Sequence, residues 1–380
     1  MNAGDKRIVL ILAIAIAAVA VVAVLSIPKA SVPDPVQPDI PEPQPDPEPS
    51  LYPEGISFDL RTGTLTSDKD ITWEVTDQLV EHIDKETVEH SGKELQLPQG
   101  YFKVSAKGQT FDVIVDGTVE RSYDWKYLYK GQSYDIHVSL SIDIAELAEI
   151  MIENREFNDS RKLTFEDLPN GVYVDETVID VVSQLEKRFR EIGGSPDNRQ
   201  EYADFLASFA QLGIVYPHRD YTWTDAYGNP VYVEAWDGTM VPKESTDYEV
   251  WGCDEYWANT LETMFFGIGD CDDSAAVACA LFEAAGYRTA MLGAYSHVAA
   301  GVELDSFTEV DEKYLKQFIA HPRNVFSGPS STEGDDTIYY AVETTKGQAY
   351  VGYFGNKVTI LGEPTFHGNN GFYSVPLSYG

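Results

Sequence analysis

The sequence predicts an α+β fold attached to a membrane by one N-terminal helix. Three observations predict it: a continuous apolar run opens the chain, short segments of alternating apolar and polar residues extend to residue 124, and helical periods mixed with strands fill residues 125–380. With 43% hydrophobic and 12% aromatic residues, the 380-residue chain can build a sizeable core, which excludes wholesale disorder.

The chain is strongly acidic, with 62 acidic against 27 basic side chains and a formal net charge of −35. A protein of this charge repels a phosphate backbone, so we expect no nucleic-acid partner. Three cysteines are too few for a disulfide scaffold in a chain of this length. Any function that the cysteines serve is therefore local.

The first segment, residues 1–27, combines a short N-terminus with a predicted transmembrane helix. Residues 8–27 are apolar except for Ser26, and twenty helical residues span roughly the 30 Å of the bilayer core. Basic residues precede the run and acidic residues follow it, so the positive-inside rule places the N-terminus in the cytoplasm and the remainder outside the cell. A cleaved signal peptide is the alternative, but its apolar run is usually only about 7 to 15 residues long.

Residues 28–54 form a proline-rich linker. The segment from Pro33 to Pro53 contains nine prolines, including these two. Such a composition favours an extended polyproline II conformation and offers no apolar face for packing. We interpret the segment as a stalk that holds the folded part away from the membrane. A ligand for a proline-binding domain is the alternative.

Residues 55–124 are predicted to form a small antiparallel β module. Alternating runs such as 71–75, 101–104 and 111–115 are separated by glycine-containing turn sequences. No group of catalytic side chains occurs in this part of the sequence. A spacer and a binding module both remain open as its role.

Residues 125–380 are predicted to be an α+β domain. Helical periods cover residues 144–154, 176–192, 199–212, 253–266 and 270–285, and strands are expected at 134–142, 287–292, 298–304 and 338–343. The helix at 270–285 is the most apolar of them, so we expect it to be the central buried helix. A hairpin is predicted with residues 221–224 and 231–234 flanking a turn at Tyr227–Pro230.

Cys271 is the first candidate catalytic residue. It lies in the first turn of the apolar helix, where unpaired backbone N–H groups and the helix dipole favour a thiolate. His297 opens one predicted strand and Glu343 ends another, so a sheet against this helix could present a base and an orienting carboxylate to the sulfur. An inert core cysteine is the alternative.

Several strings of the sequence resemble the transglutaminase-like superfamily, particularly its microbial cysteine-peptidase-like branch. They are Gly269-Asp-Cys-Asp-Asp273, Ser296-His-Val-Ala-Ala-Gly-Val302 and Tyr340-Ala-Val-Glu-Thr-Thr345, in the same order of cysteine, histidine and acid. The resemblance covers roughly residues 125–353 and implies a papain-like core, with a helix packed on an antiparallel sheet.

The resemblance also implies the roles of four residues. Cys271 would be the nucleophile, His297 its base and Glu343 the carboxylate that orients the imidazole, where the family more often has aspartate. Gln211 resembles the upstream polar residue near the oxyanion hole. The implied reaction is acyl transfer from a polypeptide amide through a thioester, resolved by water in a peptidase or amidase and by an amine in a transglutaminase. A non-catalytic envelope or adhesion protein that binds peptide or glycan in the same cleft is the alternative.

Three carboxylates surround the candidate nucleophile in the sequence, at Asp270, Asp272 and Asp273, and negative charge raises a thiol pKa. The preferred interpretation is that Asp270 caps the helix while the other two face solvent, with no metal or other cofactor. Calcium bound by these carboxylates, which some peptidases of the similar branch bind near this string, is the alternative.

Four further features are weighed. Cys253 could form a disulfide with Cys279 or stay free, while His218 and His321 compete with His297 as the base. Residues 306–336 are a long polar segment that could cover the cleft or be an inert insertion. Asn158-Asp-Ser160 is a glycosylation sequon.

Overall fold

The computed structural model describes residues 52–160, 163–217, 221–222, 227, 229–234, 240–242, 244–253, 255–294, 297–308, 320–322, 339–345, 347–351, 353–355 and 373–377. All of them belong to one compact unit, Ser50–Gly380, with the predicted α+β composition. The predicted transmembrane helix and nearly all of the stalk lie outside these residues. Among the described residues, no helix has the length and apolar character needed to cross a membrane.

The strands are β1 (Ile56–Asp59), β2 (Thr64–Asp77), β3 (Thr87–Gln96), β4 (Gly100–Ala106), β5 (Gln109–Val115), β6 (Thr118–Tyr129), β7 (Gln132–Asp143), β8 (Tyr221–Thr222), β9 (Tyr232–Glu234), β10 (Met240–Pro242), β11 (Glu244–Ser245), β12 (Thr289–Ala294), β13 (His297–Glu303), β14 (Ala320–Pro322), β15 (Tyr339–Val342), β16 (Tyr353–Gly355) and β17 (Tyr373–Pro376). The α-helices are α1 (Ile144–Ser160), α2 (Glu176–Glu191), α3 (Arg199–Ser208), α4 (Tyr248–Trp251), α5 (Thr260–Phe266) and α6 (Cys271–Ala284).

The first five strands form an antiparallel sheet with its own hydrophobic core. Strand β3 pairs along one edge of β2, while β1 and β4 pair with the two ends of its other edge and β5 pairs with β4. Trp73 and Val104 are fully buried in this core because they occupy the inward positions of the two-residue alternation. The sheet agrees with the β module expected from the sequence.

Strands β6 and β7 form a hairpin that belongs to the larger core. Lys130 and Gly131 both have positive φ angles, 48° and 83°, as a two-residue hairpin turn of type I′ requires. Twelve residue pairs join the strands, and Trp125 and Tyr127 are buried among the helices. The change from one core to the other therefore falls before β6 rather than at residue 124, where the sequence suggested the boundary.

The helices pack around α6, whose buried side chains extend from Asp272 to Phe282. Two of the predicted helices are shorter than the sequence suggested. The α-helical part of α3 ends at Ser208, and a single π-helical turn, Phe209–Gly213, follows it directly. Residues 255–259 are not helical, because Asn259 caps α5 through a hydrogen bond from the backbone N–H of Leu261 at 3.0 Å.

A four-stranded antiparallel sheet lies against α6, with the strand order β15-β13-β12-β17. Met291, Ala300 and Val302 of β12 and β13 are at most 1% exposed and belong to the same core as α6, whereas Leu292 and Ala299 are buried in a separate small cluster. Because β13 and β15 are antiparallel, the first residues of β13 and the residues after β15 come to the same edge.

The predicted hairpin at residues 221–234 is wrong. Strand β8 pairs with β11, and β9 pairs with β10, so that one short ladder encloses the other. The sequence between β9 and β10 contains Asp237-Gly238, a common turn dipeptide, whereas the prediction placed the turn at Tyr227–Pro230. The prediction used the turn sequence at Tyr227–Pro230 and overlooked the one at Asp237-Gly238.

Replacing Phe205 with alanine should lower the free energy of unfolding by about 3–5 kcal/mol. The ring is fully buried, and it packs edge-on against Tyr127 and stacks on Phe189, each at 4.9 Å between centroids. Urea denaturation would measure the change, with the exposed Leu60→Ala as a control expected to cost less than about 0.5 kcal/mol. Equal losses in the two variants would show that Phe205 does not occupy the core.

Candidate active site

Cys271 is the first residue of α6, and Asp270 caps this helix. The Asp270 carboxylate accepts a hydrogen bond from the backbone N–H of Asp272 at 3.3 Å, and the Asp273 carboxylate accepts one from the backbone N–H of Asp270 at 3.3 Å. The predicted capping role of Asp270 is confirmed. The cap places the partly buried Cys271 sulfur at the N-terminal end of the central helix.

His297 and Glu343 meet at the edge of the sheet where β13 begins and β15 ends. His297 Nε2 lies 3.2 Å from Glu343 Oε2, with the histidine side chain 8% exposed and the glutamate fully buried. The structure thus brings together the base and the acid that the sequence singled out. The longer glutamate side chain reaches the imidazole.

The Cys271 sulfur lies beside the start of β13. It accepts a hydrogen bond from the backbone N–H of Val298, the residue that follows His297. Its thiol also lies 3.8 Å from Asp272 Oδ1. The sulfur at the start of α6 therefore contacts the residue of β13 that directly follows His297.

Thr345 holds the other oxygen of the Glu343 carboxylate. Its backbone N–H and its hydroxyl both donate to Glu343 Oε1, at 2.9 and 2.7 Å. Burial alone would raise the pKa of Glu343, but the hydrogen bonds and charge of His297 and the two bonds from Thr345 outweigh it, and the pKa is lowered. Glu343 is thus ionised and aimed at the imidazole. The sequence reasoning missed Thr345, although it lies in the quoted string 340–345.

Gln211 is buried in the π-helical turn, and both of its amide hydrogens are used. Nε2 donates to the backbone carbonyls of Glu343 at 2.9 Å and Ala349 at 3.0 Å, while Oε1 accepts from the backbone N–H of Ala349 at 3.3 Å. A side chain bonded in this way has no N–H left for an oxyanion, so the geometry does not support the role expected for it. Gln211 instead supports the loop that carries Glu343.

An acidic cluster lies next to Cys271. Carboxylate oxygens of Asp247, Asp270 and Asp273 lie within 4.8 Å of one another. Carboxylate oxygens of Asp270 and Asp272 also lie within 4.8 Å of the Cys271 sulfur. Asp272 and Asp273 are 6% and 1% exposed, so the expectation that they face solvent is wrong. They are buried because α6 turns both inward beside Asp247, a residue that the sequence reasoning missed because it lies 24 positions upstream of Cys271.

Burial is the largest cause of the raised pKa values in this cluster. It raises the pKa of Asp247, Asp272 and Asp273 well above the usual range for a carboxyl group, and the neighbouring carboxylates raise them further. Burial, followed by Asp270 and Asp272, also raises the pKa of the Cys271 thiol, against the opposing effect of the Val298 N–H. In this arrangement the sulfur is a thiol at neutral pH.

Three other sequence predictions can be placed. None of the three cysteines forms a disulfide, and Cys253 and Cys279 contact different groups, with Cys279 Sγ 3.5 Å from the Ala290 carbonyl. Asn158 lies in α1, where its amide donates to the carbonyls of Asn154 and Trp257 and accepts from the Trp257 backbone N–H. A glycan on this nitrogen would disrupt these bonds, so the fold does not favour use of the sequon.

The remaining predictions concern residues near the limits of the described part. His321 belongs to β14, which pairs with β16 and not with the sheet that carries His297. His218 and most of the segment 306–336 lie outside the described residues.

Comparisons with protein families, with curated proteins and with solved structures gave no match to this chain. The transglutaminase-like resemblance therefore stays a prediction.

Proposed function

We propose that this protein is a cysteine-dependent acyl-transfer enzyme that acts on polypeptide amides. The observation that carries the proposal is the buried His297–Glu343 pair, 3.2 Å apart, on the strand whose next residue bonds the Cys271 sulfur. Burying an ionised carboxylate costs free energy unless a partner compensates it, and here that partner is a histidine beside a cysteine. The same three residue types perform nucleophilic catalysis in cysteine enzymes.

In the proposed reaction, His297 takes the thiol proton and the Cys271 sulfur attacks the amide carbonyl carbon. The tetrahedral oxyanion would accept hydrogen bonds from backbone N–H groups at the start of α6, including that of Cys271. As the C–N bond breaks, His297 returns the proton to the leaving amine and a thioester remains on Cys271. Glu343 stabilises the imidazolium and keeps Nε2 occupied, so that Nδ1 is the nitrogen that exchanges the proton with sulfur.

Water is the proposed second substrate, which makes the protein a peptidase or amidase. His297 would take a proton from water, the resulting oxygen nucleophile would attack the thioester, and the free thiol would be restored as the acid product leaves. Water outnumbers any amine unless a site excludes it. Packing of α6 on the antiparallel sheet β15-β13-β12-β17 supports the finer proposal of a papain-like, transglutaminase-like core.

A thiol-directed electrophile tests the proposal directly. Iodoacetamide should label Cys271 in the native protein, and peptide mapping by mass spectrometry should find the label there and not on the fully buried Cys279. The partly buried Cys253 provides an internal comparison. Absence of labelling at Cys271, with and without added calcium, would contradict the nucleophile assignment.

The non-catalytic alternative rests on one specific observation, the raised pKa of Cys271. A thiol of raised pKa is a poor nucleophile, and a protein that only binds peptide or glycan in this cleft would not need a better one. The same labelling experiment separates the two functions. A native protein with an inert Cys271 would be a binding protein.

Calcium is the proposed resolution of this tension. Asp272 Oδ2 is buried and has no hydrogen-bond partner among the described residues, and several carboxylate oxygens lie within 4.8 Å of one another, which fits a hard divalent ion with oxygen ligands. Asp247, Asp270, Asp272 and Asp273 would hold the ion. Its positive charge would lower the pKa of the Cys271 thiol by offsetting Asp270 and Asp272.

Calcium should raise the thermal midpoint of unfolding by several degrees, because an ion that binds only the folded state stabilises it by mass action. Differential scanning calorimetry with 1 mM calcium or with a chelator measures the shift. Asp272→Asn should reduce it, whereas Asp305→Asn, at a residue outside the cluster, should leave it unchanged. A midpoint that does not respond to calcium would favour helix capping alone.

The catalytic domain is proposed to act outside the cell. The apolar run at residues 8–27 and the proline-rich segment after it support a single-pass anchor with a cytoplasmic N-terminus and a stalk. The substrate would then be a polypeptide at the cell surface. Protease accessibility in intact cells, with a tag at either terminus, tests this topology.

A further inference from the structure

A cleft of about 160 Å³ lies between the five-stranded sheet and helix α1. Lys85, from the segment before β3, and Lys103, on β4, line its sheet side, and Arg155 lines its helix side. The volume equals that of about five water molecules, which suits one small polar group and not a large organic ligand. The cleft is separate from the Cys271 site, none of whose residues line it.

None of these three cations forms an ion pair with a carboxylate in the described part of the chain. The Lys85 and Lys103 ammonium groups have no hydrogen-bond partner there, although Lys85 is partly buried. The Arg155 guanidinium donates to the Trp251 carbonyl at 3.0 Å and contacts the Cys253 sulfur at 3.5 Å. In a chain with 62 acidic residues, three converging cations without acidic partners are unusual.

The carboxylates that line the cleft are bonded to other groups. Asp112 accepts a hydrogen bond from the Tyr101 hydroxyl at 2.8 Å, and Glu262 accepts one from the Asn154 amide at 2.6 Å. Glu156 is exposed at the rim. Three carboxylates thus line the cleft beside the three cations, but in the described part of the chain none of them forms an ion pair with a cation of the cleft.

We infer that this cleft binds a small oxyanion, a carboxylate or phosphate group, between Lys85, Lys103 and Arg155. Arginine offers paired N–H donors and lysine a point charge, and both suit anionic oxygens. A ligand bound there would contact the β module and α1 together, and so would join the two hydrophobic cores. The bound group could be a free ion or part of a larger molecule, since the oxygens alone are recognised.

The pKa of the Lys85 ammonium group makes anion binding in this cleft dependent on pH. Burial, with Arg155 and Lys103, lowers the pKa of Lys85 to about 8, and a bound anion would raise it. Anion affinity should therefore fall as the pH rises through about 8. The titratable groups around Lys85 on the neighbouring elements are Asp77, His82, Lys103, Asp112, Arg155, Glu156 and Glu262.

Isothermal titration of the full chain with sodium phosphate and, separately, with sodium acetate tests the inference at constant ionic strength. We expect saturable binding of at least one anion, and the one that binds identifies a phosphate or a carboxylate ligand. Lys85→Gln and Lys103→Gln should each weaken binding at least tenfold. Lys93→Gln, at an exposed lysine of β3 outside the cleft, should change it less than twofold.

Two results would overturn the inference. One is no saturable binding of either anion at pH 7, and the other is equal weakening by Lys93→Gln and Lys103→Gln, which would indicate a general charge effect. Lys103 is exposed, so its variant should fold even if Lys85→Gln does not. The loss of affinity between pH 7 and pH 9 in the wild type, absent in Lys85→Gln, provides an independent readout.

Discussion

Replacing Cys271 with serine is expected to abolish thioester formation and to lower kcat on a peptide amide by about a millionfold. Removal of the nucleophile from a catalytic triad has an effect of this size, because the hydroxyl is a far weaker nucleophile than the thiolate beside the same base. Stopped-time hydrolysis of a fluorogenic peptide library would measure kcat, and intact mass after acid quench would detect the acyl-enzyme.

Cys253→Ser is the matched control for this substitution. Its sulfur is also partly buried, but it lies beside Arg155 and away from His297, so kcat should stay within twofold of the wild type. The helix cap formed by Asp270 does not involve the sulfur, so Cys271→Ser should fold with an unchanged thermal midpoint. Full activity of Cys271→Ser would remove the proposed mechanism.

Replacing Glu343 with glutamine should lower kcat by about 10²- to 10⁴-fold. The amide has one acceptor oxygen instead of two, so it cannot hold both His297 and Thr345 as the carboxylate does, and the imidazole loses its tautomer and its orientation. Glu303→Gln, at a partly exposed ion pair between the end of β13 and Arg288, is the control and should change kcat less than twofold.

The same variant makes a prediction about acid stability. The pKa of Glu343 is lowered in the folded state, so its contribution to stability is present above about pH 4.3, the ordinary value, and is lost as the pH falls through the folded-state pKa. Glu343→Gln should lack this part of the acid-induced loss. Thermal midpoints between pH 7 and pH 3 would measure it, and parallel curves for wild type and variant would contradict the buried ion pair.

The sequence predicted most elements of the fold because their patterns are local. Alternation identified parts of β2, β4 and β5 in the first sheet, and the run of small and apolar residues after Asp270 identified α6 as a buried helix, in agreement with the structure. Its failures were also local ambiguities. Residues 221–245 contain two turn signals, and residues 255–259 have a helical composition but end in the cap of α5.

In the candidate site, too, some positions follow from neighbouring residues, whereas others depend on residues far away in the sequence. The positions of Cys271 at a helix start and His297 at a strand start follow from the sequence nearby, as does the cap made by Asp270. The partner of Gln211 does not, since it lies 132 positions away at Glu343. Asp247 joins Asp270 and Asp273 although it lies 23 and 26 positions before them, and no spacing rule would have found it.

The sequence by itself singled out Cys271, His297 and Glu343 as candidate catalytic residues, together with their order along the chain. The tertiary structure alone decided that Glu343 reaches His297, that Gln211 supports a loop, and that Asp272 and Asp273 are buried near Cys271. The physical reason is that charges and hydrogen bonds act over a few ångströms of space, whereas helix and strand patterns reflect only neighbours along the chain. The pKa of the Cys271 thiol depends on such charges and hydrogen bonds nearby in space.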